Sequence, residues 1–284
     1  MTDVNLSGLT NIKTLGNNFL AGCYNLTNVN LSGLTNVTVI GDGFLSYARY
    51  KLTNVDVSPI CNVTQVGQSF LSNCQKLQKI DLSKFNKLAT IGHSFLSYCN
   101  ELEEADISGL SKVEDACMNF MFNCIKLKKI DLSHMTSLKT VGQQFFGSCS
   151  SLETVDLSNV SLEGKIGWRI FAYCKELKTI INWSAFSKAT ETGWFFMDHC
   201  ESLETADLRY MTSLTKVDFD LLSNCTSLTK VYVPDKDPSS FSTEKQGFMD
   251  NVPTNQCTLY AKSDLVSSYN VAPWNTYTIA TRTD

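Results

Sequence analysis

The sequence contains no run of about 18 apolar residues, which excludes a membrane-spanning helix. Neither acidic nor basic residues form a run, which argues against a nucleic-acid-binding footprint and against a basic membrane-surface patch. Lys and Arg total 24 against 28 Asp and Glu, so the formal net charge is -4. With 43% hydrophobic and 18% charged residues, the 284-residue chain can bury a sizeable core. We therefore expect a soluble folded protein with no nucleic-acid partner and no membrane insertion.

The sequence also lacks the local patterns that carry catalysis. Its three histidines, His93, His134 and His199, fall at different positions of the repeat described below. There is no glycine-rich phosphate loop, no nucleophile elbow and no pair of catalytic carboxylates. No Cys-x-x-Cys pair and no histidine at ligand spacing indicate a metal site. We expect a protein that is not an enzyme and that uses no cofactor or metal.

What the sequence does contain is a regular series of cysteines. Successive members are 25 or 26 residues apart, at Cys74, Cys99, Cys124, Cys149, Cys174, Cys200 and Cys225. The same period extends backward to Ala48 and Cys23, so that it covers nearly the whole chain. A fixed period of this length is typical of solenoid proteins.

Each period contains two different patterns. In the segment Leu-x-x-Ile-Asp-Leu-Ser, Ile80 and Leu82 alternate with polar residues as in a strand. In the segment Gly-x-x-Phe-Leu-x-x-Cys, Phe95, Leu96 and Cys99 have the spacing of one face of a short helix. One repeat cannot bury its own apolar face, so the repeats must stack. These patterns predict an α/β repeat solenoid of about nine coils of 25 residues, with a parallel sheet on one face and short helices on the other.

The ends and one irregular repeat complete the predicted organisation. The period stops after Val233, so we expect a solenoid over residues 1–233 and a linker loop with a capping element over 234–284. The first coil has no polar cap, so we expect a fragment of a longer protein, and the absence of a signal peptide then says nothing about location. In the 26-residue repeat before Cys200, we place the extra residue in 178–180 as a strand bulge, which directs Trp183 into the core.

The combination of Leu-x-x-Ile-Asp-Leu-Ser with Ile-Gly-x-x-Phe-Leu-x-x-Cys resembles the BspA-like class of leucine-rich repeats over residues 4–233. The tail, with Cys257, Tyr269 and Trp274, is similar to the C-terminal caps of bacterial members. The resemblance implies an extracellular or cell-surface adhesin that recognises a protein or glycan partner, such as a host or cell-surface ligand. The alternative is a structural spacer that projects another domain and has no ligand of its own. The ligand and the oligomeric state do not follow from the sequence.

The repeated cysteines have three possible roles, as disulfides, metal ligands or core residues. Stacked strands are about 4.8 Å apart, a distance that a disulfide can span, so distance alone does not exclude pairing. Equivalent side chains of stacked repeats point the same way, however, and these cysteines lie on an apolar face where a free thiol acts as a small hydrophobe. Ala48 fills the same position in one repeat. We predict buried free thiols.

Two surface columns are candidate binding sites. The first is an aromatic group in the C-terminal half with the composition of a binding hot spot, although the favoured alternative is that its rings stack on each other for stability alone. Its residues are Trp168, Arg169, Tyr173, Trp194, Phe195, His199 and Phe219. The second is a stripe of carboxylates on the concave face, at Asp56, Asp81, Asp106, Asp131, Asp156 and Asp207. Carboxylates this close need partners, which are either the serines two residues later, nearby lysines, or a bound cation or cationic ligand.

Overall fold

The computed structural model describes residues 1–283 as a solenoid of about ten turns built from parallel strands. Most turns contribute one strand to a front ladder and one to a side ladder. The front-ladder strands are Asp3–Asn5, Asn28–Asn30, Lys79–Asp81, Glu104–Asp106, Lys129–Asp131, Thr154–Asp156, Thr179–Ile181, Thr205–Asp207, Lys230–Tyr232, Thr258–Ala261 and Thr278–Thr281. The side-ladder strands are Thr14–Leu15, Val39–Ile40, Gln65–Val66, Thr90–Ile91, Asp115–Ala116, Thr140–Val141, Glu163–Lys165, Lys188–Glu191, Lys216–Val217 and Ser242–Thr243.

The front ladder forms where the sequence alternates between polar and apolar residues. Ile80 is 4% exposed, whereas its neighbours Lys79 and Asp81 are exposed. Strand Lys79–Asp81 pairs in parallel with Glu104–Asp106, each residue opposite the one 25 positions later. The predicted parallel sheet is therefore confirmed, and its register equals the sequence period.

The predicted helices on the second face are wrong. Residues 1–283 contain no α-helix, only four short 3-10 helices at Ser58–Ile60, Trp183–Phe186, Pro238–Ser240 and Trp274–Thr276. None of these is long and apolar enough to cross a membrane. The segment from each side strand to the next cysteine is instead a tight turn, here called the back turn. In residues 92–99, Ser94, Leu96 and Tyr98 have positive φ angles of 60°, 54° and 58°. A helix requires consecutive right-handed residues, so this alternation excludes one.

The spacing between coils explains why the back turns are not helical. Stacked parallel strands lie about 4.8 Å apart, whereas packed helices need about 8–10 Å between their axes. Two strand ladders impose the smaller spacing, and the rings of Phe70, Phe95 and Phe120 in successive back turns are 5.1 and 5.6 Å apart. The backbone therefore bonds between coils, as Leu96 N–H does to Phe70 O at 2.9 Å. Phe95, Leu96 and Cys99 are all buried in the core, and their spacing in the sequence is the same as that of one face of a helix.

The extra residue of the 26-residue repeat lies later than predicted. Strand Thr179–Ile181 pairs with Thr154–Asp156 without a shift in register, so the bulge at 178–180 is wrong. The register shifts instead between Glu163–Lys165 and Lys188–Glu191, next to Gly164, whose φ of 70° glycine adopts without steric cost. Trp183 is 9% exposed, so its predicted place in the core is confirmed.

The front ladder continues beyond residue 233. Strand Thr258–Ala261 pairs in parallel with Lys230–Tyr232, and Thr278–Thr281 pairs with Thr258–Ala261. The buried Tyr269 hydroxyl donates to the carbonyl oxygen of Pro234 at 2.8 Å. The division into a solenoid over 1–233 and a separate capping element over 234–284 stays a prediction, and residue 284 lies outside the described part of the chain.

Candidate functional site

The repeated cysteines are core residues, as predicted. All seven are 0% exposed, and all 11 cysteines of the chain are unpaired. The Cys99 thiol donates to Leu71 O at 3.3 Å, and the Cys149 thiol donates to Met121 O at 3.2 Å. Both acceptors have positive φ and direct their carbonyl groups into the core. Burial raises the pKa of the Cys74 thiol to about 12, so the thiolate needed for metal binding or disulfide exchange is scarce at neutral pH.

The carboxylate stripe lies along the front ladder, with four exposed members and with Asp156 and Asp207 half-buried, and each member is engaged within its own coil. Asp81 Oδ1 accepts the backbone N–H of Ser83 at 2.8 Å. The same bond, from the residue two positions later, forms at Asp56, Asp106, Asp131, Asp156 and Asp207. Hydrogen bonds from the hydroxyl and backbone N–H of Ser83 lower the pKa of Asp81. The stripe thus has a structural explanation, the Asx turn that ends each strand. Its binding of a cationic ligand stays a prediction.

The seven aromatic-group residues lie together on the back turns of three successive coils, and we call this set the aromatic surface. Trp168 and Trp194 stack face to face with their ring centroids 4.3 Å apart and their planes 6° apart. Phe219 meets Trp194 edge-on at 5.7 Å. All three side chains are half-buried, so part of each ring remains open to solvent.

The other four residues of the aromatic surface form two further contacts. The guanidinium of Arg169 lies 4.8 Å above the Phe195 ring, within the range of a cation–π interaction. Tyr173, 40% exposed, stacks on His199 with ring centroids 4.4 Å apart. These four residues have positive φ and side chains that reach the surface, whereas the intervening Phe171, which also has positive φ, is buried in the core.

The aromatic surface differs in its chemistry from the other depressions of the surface. Four of its residues, Trp168, Arg169, Trp194 and Phe195, line a shallow depression of about 330 Å³ together with Gln143 and Gln144. Larger depressions of about 370 and 590 Å³ lie on the front ladder. Charged side chains line them without any aromatic residue, and Lys79 and Glu104 form an exposed ion pair at 2.8 Å. Exposed ion pairs of this kind contribute little energy. The larger volume of the front-ladder depressions therefore does not by itself identify them as the binding site.

Three carboxylates near the aromatic surface, Asp198, Asp220 and Asp250, were not among the predicted binding residues. Asp198 is 2% exposed, and its Oδ1 accepts the Asn224 side-chain amide at 2.9 Å. Burial raises the pKa of Asp220, and the negative charges of Asp198 and Asp250 raise it further. Aligned repeats contain a signal for Asp198, because its turn position holds uncharged residues in earlier coils: Ser72, Ser97, Phe122, Gly147 and Ala172. Residues 1–283 contain no group of three His, Cys, Asp or Glu side chains that could hold a metal ion.

Known proteins resemble this chain in sequence pattern and in fold. The sequence profile of the BspA type leucine rich repeat region, in six copies, matches residues 1–120, 86–193 and 161–259. A search of curated proteins finds no match.

Solved structures of repeat proteins are also similar. A leucine-rich repeat protein of T. pallidum is 20% identical, with 63% of this chain and 76% of that chain covered and a TM-score of 0.45. One from Bacteroides ovatus is 17% identical, with 99% and 92% covered and a TM-score of 0.35. The pneumococcal vaccine antigen PcpA is 14% identical, with 99% and 79% covered and a TM-score of 0.42.

Proposed function

This chain belongs to the BspA-type leucine-rich repeat family, and from that premise we propose that it is a non-catalytic binding protein of the cell surface or the extracellular space. The repeat is a scaffold, and a binding function depends on the side chains that the scaffold presents. We place the binding site on the aromatic surface, and we assign it a protein or glycan partner.

The observation that carries this proposal is the change of residue at one turn position. Trp168, Trp194 and Phe219 occupy a position that six earlier coils fill with smaller or polar residues, namely Asn17, Asp42, Gln68, His93, Met118 and Gln143. Those coils stack with the same backbone bonds between back turns, so the fold does not require an aromatic residue there. Tryptophan with a neighbouring arginine is the composition that binding hot spots favour.

The thiol chemistry is compatible with a location outside the cell. Free cysteines are at risk of oxidation in that environment when they are exposed and partly ionised. The repeated cysteines are fully buried, and burial raises the pKa of Cys99 and Cys124 as well as that of Cys74. They can therefore persist as thiols without a reducing environment.

The test is the double substitution of Trp168→Ala and Trp194→Ala. We expect it to abolish binding to cells or to an array of glycans and extracellular proteins, while the free energy of unfolding falls by less than about 1 kcal/mol, as for other surface truncations. The matched control is Gln68→Ala with Met118→Ala, at the same turn position of earlier coils, which should leave binding unchanged. If the tryptophan variant melts many degrees lower and its folded fraction binds normally, the stack is structural and the carboxylate stripe becomes the site to test.

A further inference from the structure

We propose that the aromatic surface receives a lysine or arginine side chain of a protein partner, seated against the carboxylates Asp220 and Asp250. This inference rests on the proposed function, and it specifies the chemistry of the partner. It predicts a protein ligand with an exposed basic residue, and it excludes a neutral glycan.

The first argument is an uncompensated negative charge. Several acidic side chains elsewhere on the back and side of the solenoid meet a lysine of the adjacent coil, as in Glu114 with Lys139 at 2.9 Å and Glu201 with Lys175 at 2.9 Å. Across residues 1–283, no lysine or arginine nitrogen lies within 4.0 Å of the three carboxylates, and His199 is the one basic side chain that contacts them. These three carboxylates therefore lack the lysine partner that several other acidic side chains of the solenoid have.

The second argument is that the carboxylate of Asp220 is held in place by its neighbours. A Cβ atom added to Gly247 of the next coil would lie only 2.0 Å from Asp220 Oδ1, so the carboxylate packs directly against that glycine. Asp198 is likewise fixed, since its side chain is buried and its Oδ1 accepts the Asn224 amide at 2.9 Å. Acceptors that are already ordered lose little entropy when they bind a cation.

The third argument is that the same column of residues already holds a cation. Arg169, Phe195 and Asp220 occupy equivalent left-handed positions of successive back turns, with φ of 59°, 58° and 57°. Among these three residues, the positively charged Arg169 guanidinium lies 4.8 Å above the Phe195 ring. On the other side of Phe195, the third residue, Asp220, is negatively charged. The Lys216 Nζ lies 6.0 Å from the centroid of the nearby Phe219 ring, but it forms an ion pair with Asp218 Oδ1 at 2.7 Å. A partner cation at Asp220 would combine a carboxylate with aromatic rings, which suits a lysine or arginine.

The experiment uses the whole chain and measures its binding to immobilised poly-L-lysine and poly-L-glutamate by surface plasmon resonance. The test variant carries Asp220→Asn and Asp250→Asn. The control variant carries Asp42→Asn and Asp115→Asn, which removes the same charge from exposed positions outside the aromatic surface and the carboxylate stripe. We expect the wild-type protein to bind poly-L-lysine alone, and the test variant to bind it about tenfold more weakly, whereas the control variant should match the wild type.

The outcomes separate this inference from the proposed function. Equal weakening in both variants would mean that overall charge governs binding, and it would overturn the inference. Unchanged binding by the test variant would overturn it as well. If the variant Trp168→Ala with Trp194→Ala loses cell binding while the variant Asp220→Asn with Asp250→Asn retains it, the proposed function stands and the basic partner is wrong. If neither variant loses cell binding, both proposals fail.

Discussion

Replacing Gly92 by alanine tests whether the close stacking of the coils selects the glycines of the repeat. A Cβ atom at Gly92 would lie 2.4 Å from Gln68 N and 2.5 Å from Gly67 C, both in the backbone of the preceding coil. Ordinary contacts of this kind are about 3.5 Å, so the coils must separate locally by about 1 Å. Overpacking of a rigid neighbour costs about 3 kcal/mol, which should lower the melting midpoint of a chain of this size by about 6 °C.

Gly16 provides a matched control, because it has the same turn position in the first coil. No atom lies within 4 Å of a Cβ added there. Gly16→Ala should therefore leave the free energy of unfolding within about 0.5 kcal/mol of the wild type, or raise it slightly by restricting the unfolded chain. Thermal unfolding followed by circular dichroism measures both variants. Equal melting midpoints would refute the reasoning, because the glycine would then be selected by something other than the adjacent coil.

Three further predictions concern the core and the front ladder. Thiol titration of denatured, unreduced protein should find all 11 cysteines free, and recovery of half that number would contradict the buried-thiol assignment. Phe95→Ala should lower the free energy of unfolding, measured by chemical denaturation, by about 3 to 5 kcal/mol because it opens a cavity between stacked rings. Removal of the hydroxyl in Ser94→Ala should lower it little. Similar losses in both variants would mean that the buried and outer faces of the back turn are wrongly assigned. Because hydrogen bonds from Ser83 lower the pKa of Asp81 in the folded state, its stabilising effect is present above the unfolded pKa of about 3.9 and is lost as the pH falls through the lower folded value. Asp81→Asn should therefore reduce the loss of unfolding free energy between pH 5 and about pH 2 in urea denaturation, and an unchanged pH dependence would contradict that role.

The sequence alone determined the period, the strand column and the core. Apolar residues such as Ile80, Phe95 and Cys99 recur at equivalent positions of successive repeats, and similar repeats can bury them only by stacking in register. The same reasoning placed Trp168, Trp194 and Phe219 in one column, since equivalent positions of adjacent coils must be neighbours. Their contact was therefore predictable, whereas their role in binding stays a prediction.

The tertiary structure decided the backbone of the back turn and the partners of the acidic residues. Phe95, Leu96 and Cys99 have a spacing that suits a helix as well as a left-handed turn, so the pattern could not distinguish the two. The narrow spacing between coils, which two strand ladders impose, leaves no room for helices. The left-handed positions of that turn then bring Asp220 close to Asp198 and Asp250 from other coils, and the front-strand aspartates accept backbone N–H groups that no side-chain pattern reveals. Periodicity specifies which residues are equivalent, but side-chain directions depend on φ and ψ, and packing between coils selects those angles.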